Sequence, residues 1–495
     1  MSIQPHFDTH RYVGEICRLR AQSIVECRLP GSEISSILAV NAKVFSHESV
    51  CQDGEVRYAG KALLNIVYED GDKKVCRAER GAEFFHKAEG KDVSPACFAK
   101  TALSCANVTW RREGSGLYVS VVVDADIGVY GGKQIEFFSG GEDLIVKPQK
   151  LNLYKTVCVS GETDGEDEFA SDYVGDILMH DERAVAYRVT ANGGTIEIDG
   201  ELSVNICVLK SDNSVCAYER LTPFSMQIPC EEAFGHVTAD ARVQVKSAHV
   251  TADVDEEKGK SKILLEYVLA ADCRLYVKEE LAAAEDAFST KAEIAVKKEN
   301  GRGRYLTSCT KCVERISGIA SLSPQIDGEY SLQAAVLPRA EIVCRKTEKG
   351  TEAEGAAIAE VLLVGADGTH RAATLSLPFV FPVETEGEYV EADCAVCSLN
   401  LRRKKGGETE AEATLKVALR GYKDREWTYI SQVQEGETLP EDDCAFSVFL
   451  PREGESLWEV AKRLNRDPEE LQKSNPELQF PLKEGARIFV YRQIK

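Results

Sequence analysis

The sequence lacks any apolar run long enough to cross a membrane as a helix. Such a helix needs about 18 or more consecutive apolar residues, and no stretch of the 495 residues approaches that length. The opening residues, Met1 to Gly14, contain charged side chains and no apolar segment. We therefore expect neither a transmembrane segment nor a secretory signal.

Basic residues are scarce relative to acidic ones. There are 60 Lys and Arg against 81 Asp and Glu, which gives a formal net charge of −21 at pH 7. This balance argues against a nucleic-acid binder that relies on phosphate contacts and against docking on anionic lipids through the bulk surface. The remaining composition is typical of globular chains, and the length predicts about three domains.

Catalytic signatures are also missing. The eight histidines are dispersed, and neither an HExxH motif nor a Gly-x-Ser-x-Gly motif occurs. The segment from Gly54 to Ala62 is one residue too long for a phosphate-binding loop, and no Ser or Thr follows Lys61. His6 and His10 have helical spacing but no third ligand nearby, which favours a solvated chain end. We expect no enzymatic activity, no catalytic residues, no cofactor and no metal site.

The cysteines do not fit a secreted disulfide scaffold. They number 17, and they are scattered from Cys17 to Cys444, whereas such scaffolds are short and carry an even number of densely spaced cysteines. Several lie in apolar runs, where cysteine behaves as a small hydrophobic residue. This favours reduced thiols in a cytosolic protein.

Two CxxC pairs leave a metal or redox role as a minor alternative. They are Cys309/Cys312 and Cys394/Cys397, and their separation is several times that of a zinc ribbon. Both pairs fall in the third repeat described below, so convergence in space remains open.

Internal repetition is the most informative feature of the sequence. Three glycines each open an apolar run, and a phenylalanine follows each glycine after 24 residues. The pairs are Gly60 and Phe84, Gly200 and Phe224, and Gly355 and Phe379. Because the offsets between the copies are 140 and 155 residues, each copy is large enough to be a domain. We expect the glycines at matching turns and the phenylalanines at matching core positions.

Strand-like alternation dominates each copy. The clearest example is the run of apolar residues Leu202, Val204, Ile206 and Val208, which alternate with Glu201, Ser203, Asn205 and Cys207. This alternation predicts a strand with one buried face. Later runs, among them Ile263 to Ala271, predict further strands. The sequence thus predicts a mainly β protein with three repeated antiparallel, sandwich-like β-domains.

Two segments of the second copy are not predicted to be strands. The best candidate for an amphipathic helix is Lys278 to Ala287. The acidic stretch Glu162 to Asp172 is predicted to be a solvated loop. A calcium loop there lacks the twelve-residue spacing and the closing glutamate.

The last fifty or so residues differ from the repeats in their pattern of predicted elements, and they predict a small β-α-α-β module. Phe446, Val448 and Leu450 alternate as a short strand. Ser456 and Glu459 form a predicted capping box, and a helix with one apolar face follows. Asp467-Pro468 begins a second helix, Asn475-Pro476 ends it, and Ile488 to Tyr491 forms the closing strand.

This module resembles a LysM domain. Pro451 to Trp458 matches the opening of that family, with Glu455 in place of the usual Asp, and Asn475 to Leu478 and Pro481 to Gly485 match its second loop. The resemblance implies a shallow groove between the two loops that binds N-acetylglucosamine polymers. The candidate groove residues for a partner or a glycan are Arg452, Gly454, Glu455, Ser456, Leu457, Trp458, Asn475, Pro476, Glu477 and Leu478. Among them, Arg452, Glu455, Asn475 and Glu477 are expected to be exposed, whereas Leu457 and Trp458 are partly required for the module's own core.

Three β-repeats followed by one LysM domain resemble the SipL-like spore morphogenesis proteins of anaerobic spore-formers, whose repeats are of the SPOCS type. Ile37 to Val44 with the Gly60 strand resembles the opening of that repeat, Ile177-Leu178 repeats it weakly, and the third copy is divergent. The corresponding domains are 1–147, 148–293, 294–437 and 445–495. The resemblance implies a non-enzymatic scaffold in the mother-cell cytoplasm, at the forespore surface, whose LysM domain binds a coat-basement morphogenetic ATPase. A glycan-binding cell-wall protein and an unrecognised hydrolase are the alternatives.

Overall fold

A computed structural model describes residues 3–30, 34–114, 116–171, 175–235, 237–255, 259–326, 330–348, 350–404, 408–440 and 446–491. The described chain is mainly β, with several antiparallel sheets and two short helices. No helix in these ranges is long and apolar enough to cross a membrane.

The strands fall into three consecutive groups of six, which we call the first, second and third units. The first unit contains β1 (Gln4–Pro30), β2 (Ile34–Gln52), β3 (Glu55–Asp70), β4 (Val75–Glu89), β5 (Phe98–Glu113) and β6 (Gly116–Glu142). The second contains β7 (Ile145–Ser171), β8 (Gly175–Asn192), β9 (Thr195–Lys210), β10 (Val215–Pro229), β11 (Val237–Asp255) and β12 (Lys260–Phe288). The third contains β13 (Ala292–Ser323), β14 (Tyr330–Thr347), β15 (Gly350–Gly365), β16 (His370–Val383), β17 (Tyr389–Arg403) and β18 (Thr409–Thr438).

Each unit has the same strand order in two antiparallel sheets. In the first unit the sheets run β1-β6-β5 and β2-β3-β4, and in the second they run β7-β12-β11 and β8-β9-β10. The third unit has the corresponding orders β13-β18-β17 and β14-β15-β16, and a short pairing of β13 with β16 joins its sheets. The domain limits taken from the sequence, after residues 147 and 293, fall among the first residues of β7 and β13.

The core of each unit lies between its two sheets. In the second unit Leu202, Val204 and Ile206 of β9 are buried in one cluster with Leu265 and Leu269 of β12. This confirms the strand periodicity predicted for Leu202 to Val208, because the alternate side chains face the opposing sheet.

The glycine and phenylalanine of each predicted pair lie directly opposite each other on neighbouring strands. The pairs are Gly60–Phe84, Gly200–Phe224 and Gly355–Phe379. The phenylalanines are buried, as predicted. The glycines, however, lie within β3, β9 and β15 and not at turns. A Cβ atom at these positions would lie 2.3–2.9 Å from the Cζ atom of the opposite ring, so glycine is required by the close approach of the aromatic side chain.

Three other local predictions are wrong. Lys278 to Ala287 forms the end of strand β12, since it pairs with β7 and buries Ala283, Ala284 and Ala287; here tertiary contacts override helix propensity. The acidic stretch from Glu162 is part of β7 as far as Ser171, with only its outward side chains solvated, and Asp172 lies outside the described residues. His6 and His10 lie in strand β1 and not in an irregular chain end; His6 is exposed, as predicted, whereas His10 Nε2 is 2.8 Å from the Glu279 carboxylate.

The three units close into a ring through equivalent backbone donors. The N–H groups of Val75, Val215 and His370 occupy the same position at the start of β4, β10 and β16. They donate to Asn213 of the second unit at 3.2 Å, to Gln333 of the third unit at 3.4 Å, and to Glu69 of the first unit at 2.9 Å. Each unit therefore binds the next, and the third binds the first.

Long two-stranded antiparallel ribbons extend from the units and share a core. They are formed by β1 with β6, β7 with β12, and β13 with β18. Phe137, Leu153 and Trp427, one from each unit, are buried in one cluster. Phe138, Ala284 and Ile430 form a second such cluster.

A small C-terminal module follows the third unit. It consists of β19 (Phe446–Phe449), α1 (Leu457–Leu464), α2 (Pro468–Ser474) and β20 (Ile488–Tyr491), and β19 pairs with β20. Residue 445 and residues 492–495 of the range assigned from the sequence lie outside the described residues.

Candidate functional site

Capping residues position the start of each helix of the C-terminal module. The Ser456 hydroxyl accepts from the backbone N–H of Glu459, and the Glu459 carboxylate accepts from the backbone N–H of Ser456 at 2.8 Å. This is the predicted capping box. Asp467 caps α2 by accepting from the N–H groups of Glu469 and Glu470, with Pro468 in the first turn.

Backbone hydrogen bonds join the two loops that were predicted to line a groove. The N–H of Gly454 donates to the carbonyl of Leu482 at 2.8 Å, and the N–H of Leu482 donates to the carbonyl of Glu455 at 3.0 Å. Gly454 has a φ of +84°, which favours glycine at this turn. The two loops therefore lie side by side.

The candidate groove residues differ in how far they reach solvent. Arg452, Gly454, Pro476 and Glu477 are exposed, whereas Glu455, Ser456, Leu457, Trp458 and Leu478 are half-buried. The Glu455 carboxylate accepts from the N–H of Arg452 and pairs with Arg463, so it is less accessible than expected.

Asn475 was expected to be exposed and is instead buried. Its side-chain amide donates to the carbonyls of Leu471 and Phe489, and its side-chain oxygen accepts from the N–H of Phe489 at 2.7 Å. The side chain satisfies backbone groups at the end of α2 and in β20. Asn475 is thus a structural residue that holds the second loop in place.

Trp458 contacts the second unit and does not line an open groove. Its indole Nε1 donates to the Asp286 carboxylate at 2.9 Å, and its ring packs edge-on against Phe288 at 5.1 Å. Lys462 binds the same carboxylate at 2.7 and 2.8 Å. Burial alone would raise the pKa of Asp286, but the bonds from Lys462 and Trp458 outweigh it and hold the pKa below its usual value. Helix α1 is therefore fixed to the end of β12.

The two-stranded sheet presents an apolar face to solvent. Phe446 and Val448 of β19, with Phe489 and Tyr491 of β20, are exposed, and Leu450 beside them is 70% exposed. The Phe446 ring stacks on Phe489 at 6.0 Å. The predicted alternation in this strand is present, but the alternating apolar residues face outward, while Ile488 and Val490 are buried.

Sequence reasoning missed a cluster of buried and half-buried polar side chains where the three units meet, which we call the polar junction. It contains four arginines, four carboxylates and three tyrosines. They are Arg18, Asp126 and Tyr130 of the first unit, Asp240, Arg242, Arg274 and Tyr276 of the second, and Glu391, Asp393, Arg420 and Tyr422 of the third. Four positive charges face four negative ones, so the junction is balanced.

Bonds between units dominate the polar junction. Arg18 and Arg242 both pair with Asp126 and with Glu391. Arg274 of the second unit donates to the Tyr422 hydroxyl of the third at 2.9 Å, and that hydroxyl donates to the Asp240 carboxylate of the second unit at 2.7 Å. The sequence carried one signal of this cluster, since Tyr130, Tyr276 and Tyr422 are spaced at a constant 146 residues.

The two CxxC pairs lie on strands either side of β18. Cys312 and Cys394 are both opposite Val417, one on β13 and the other on β17, and all four cysteines are free thiols. Burial raises the pKa of Cys394 to about 12 and that of Cys397 to about 11, which disfavours the thiolate that metals and redox partners require. Among the described residues, no group of three or more His, Cys, Asp or Glu side chains could hold a metal ion.

Comparisons with known proteins identified no relative of this chain. A scan against protein-family models, a search of curated proteins and a search of solved structures each found no match for this chain.

Proposed function

We propose that the chain consists of three copies of one β-domain followed by a LysM domain. The identical strand order of the three units supports this, as do the glycine–phenylalanine pairs at matching positions of β3, β9 and β15. The strand-helix-helix-strand order of the module and its capping residues support the LysM assignment.

We further propose that the protein is a non-enzymatic scaffold of endospore formation. In this role it lies in the mother-cell cytoplasm, at the forespore surface, and its LysM domain binds the coat-basement ATPase. The observation that carries the choice of a protein partner is the exposed apolar face of β19 and β20. Arg452, shortly after β19, and Glu477, on the second loop, are exposed polar residues of the same module. Contiguous exposed apolar side chains with a polar rim are typical of protein interaction sites.

A pull-down from sporulating cells tests the partner surface. Leu450→Ser and the double charge reversal Arg452→Glu with Glu477→Lys should reduce recovery of the ATPase at least about tenfold, as loss of interface anchors does. The melting temperature should stay nearly unchanged because these side chains are exposed. Lys473→Glu, on the exposed side of α2, is the matched control and should leave recovery unchanged.

Glycan binding is the second candidate function, and the adjacent loops at Gly454 and Leu482 favour it, because LysM-like grooves bind sugars through backbone groups. A chito-oligosaccharide titration of the full chain separates the two functions. Micromolar sugar binding, together with ATPase recovery that survives removal of residues 445–495, would replace the scaffold with a cell-wall glycan-binding protein.

Localisation of a fluorescent fusion during sporulation provides an independent test. A ring around the forespore is the expected pattern for the scaffold. Accumulation at the vegetative wall or in the medium would contradict the proposed role.

A further inference from the structure

A cavity of about 340 Å³ lies where the three units meet, next to the polar junction. Its walls include Tyr12 and Lys133 of the first unit, Tyr154 and Tyr276 of the second, and Arg304 and Asp424 of the third. This volume lies within the range of small-molecule sites, which lie preferentially between domains.

Two glycines line the cavity at positions where the other units carry side chains. The equal spacing of Tyr130, Tyr276 and Tyr422 allows the ribbons to be compared position by position. Gly14 of the first unit corresponds to Lys155 of the second and Tyr305 of the third, and Gly303 of the third unit corresponds to Tyr12 and Leu153. Gly14 and Gly303 both line the cavity. The cavity therefore lies where the first and third units carry glycines in place of larger residues.

The Lys133 side chain packs against Gly14. A Cβ atom at Gly14 would be 3.4 Å from Cδ of Lys133, so the lysine chain lies along β1 across this glycine. Its ammonium group donates to the backbone carbonyl of Glu15 at 2.7 Å.

Lys133 has unused donor capacity inside this space. A lysine ammonium carries three donors, and within the described part of the chain Lys133 uses one of them, with no carboxylate partner. Burial lowers the pKa of Lys133, and the nearby Glu15 carboxylate opposes that shift. An anion bound at the ammonium would compensate for the lost hydration of the charged form.

The charges around the cavity favour an anion over a cation. Arg302 and Arg304 share the single carboxylate of Asp424, and Glu15 lies 3.6 Å from Arg304. Three basic side chains therefore face two acidic ones at this site, in a chain whose net charge is −21. Tyrosine rings form much of the remaining wall, and flat aromatic surfaces pack well against a planar ligand.

We propose that this cavity binds a small organic anion, with a carboxylate or phosphate group at the Lys133 ammonium and a planar part against the tyrosine rings. The site is separate from the C-terminal module, and it stands whether or not that module binds the ATPase.

Titration calorimetry of the full chain with matched aromatic probes tests the proposal. Benzoate carries a carboxylate on a phenyl ring, and phenyl phosphate carries a phosphate on the same kind of ring. Benzamide is the uncharged analogue of benzoate. We expect saturable binding of at least one anion, with a Kd of about 1 mM or tighter, and much weaker binding of benzamide. The stronger anion identifies the headgroup.

Substitution of the lysine assigns the binding to this cavity. Lys133→Met keeps the aliphatic chain and removes the charge, and it should weaken anion binding about tenfold or more, as expected for a charge-assisted hydrogen bond. Lys87→Met, at an exposed lysine of the same unit, should leave binding unchanged. Should Lys133→Met lower the melting temperature, Lys133→Gln serves as the second variant, because it also removes the charge but keeps a donor for the Glu15 carbonyl, and it should weaken anion binding similarly.

Three results would overturn the proposal. The first is the absence of saturable binding of both anions up to about 10 mM, which corresponds to a negligible affinity. The second is equal binding of benzamide and benzoate. The third is anion binding that neither Lys133→Met nor Lys133→Gln alters.

Discussion

At the scale of single residues, the glycine–phenylalanine pairs show what spacing reveals and what it conceals. The constant separation in sequence identified Gly200 and Phe224 as equivalent to the pairs in the other units, and the phenylalanines are buried as predicted. The glycine was assigned to a turn because turns are its commonest use. Its actual role depends on the neighbouring strand, since the Phe224 ring covers its Cα atom, and local sequence does not contain that contact.

Substitutions at this pair should separate packing from steric exclusion. Phe224→Ala removes a buried ring and should lower the free energy of unfolding by about 3–5 kcal/mol. Gly200→Ala should also destabilise the protein, because its Cβ would lie 2.3 Å from the Phe224 ring and 2.4 Å from the Val185 carbonyl oxygen. Denaturant unfolding measures both, with the exposed Ser225→Ala as control. A Gly200→Ala variant as stable as the wild type would contradict the close-approach explanation.

At the scale of secondary-structure elements, predictions were correct where the sequence signal came from residues of the element itself. Helices α1 and α2 were predicted because Ser456 and Asp467 satisfy backbone donors of their own helices. The segment from Lys278 to Ala287 was wrongly predicted as a helix, because its pairing with β7 fixes it as a strand. The position of Trp458 could not be predicted either, since its partners Asp286 and Phe288 lie about 170 residues earlier.

The contact between α1 and β12 should depend on one carboxylate. Asp286→Ala leaves the Trp458 indole and the Lys462 ammonium without their shared acceptor, and unsatisfied buried donors are costly. We expect faster amide hydrogen exchange in α1 than in the wild type, with exchange at the centre of β12 unchanged. Glu285→Ala, which removes a neighbouring surface pair with Lys147, is the control. Unchanged exchange in α1 would show that apolar packing alone fixes the module.

At the scale of the whole molecule, the polar junction joins three units that are far apart in sequence. Glu391 of the third unit pairs with Arg18 of the first and Arg242 of the second, and Tyr422 donates to Asp240 across 182 residues. A buried carboxylate is tolerated only when such partners compensate for its lost hydration. No local pattern encodes these pairings, so the sequence could not predict how the three units meet.

Acid should weaken the ring through Glu391. Burial alone would raise the pKa of Glu391, but Arg274, Arg18, Arg242 and Arg420 bring it far below the ordinary value of 4.5. A depressed carboxylate pKa stabilises the fold above that ordinary value, and the stabilisation is lost as the pH falls below it. Glu391→Gln should therefore cost about 3 kcal/mol or more at neutral pH, as breaking a buried pair does, and it should flatten the loss of stability below about pH 4.5. Urea unfolding across pH 3–7 measures both effects, with the exposed Glu162→Gln as control. If the acid dependence is as steep in Glu391→Gln as in the wild type, carboxylates other than Glu391 control the loss of stability in acid.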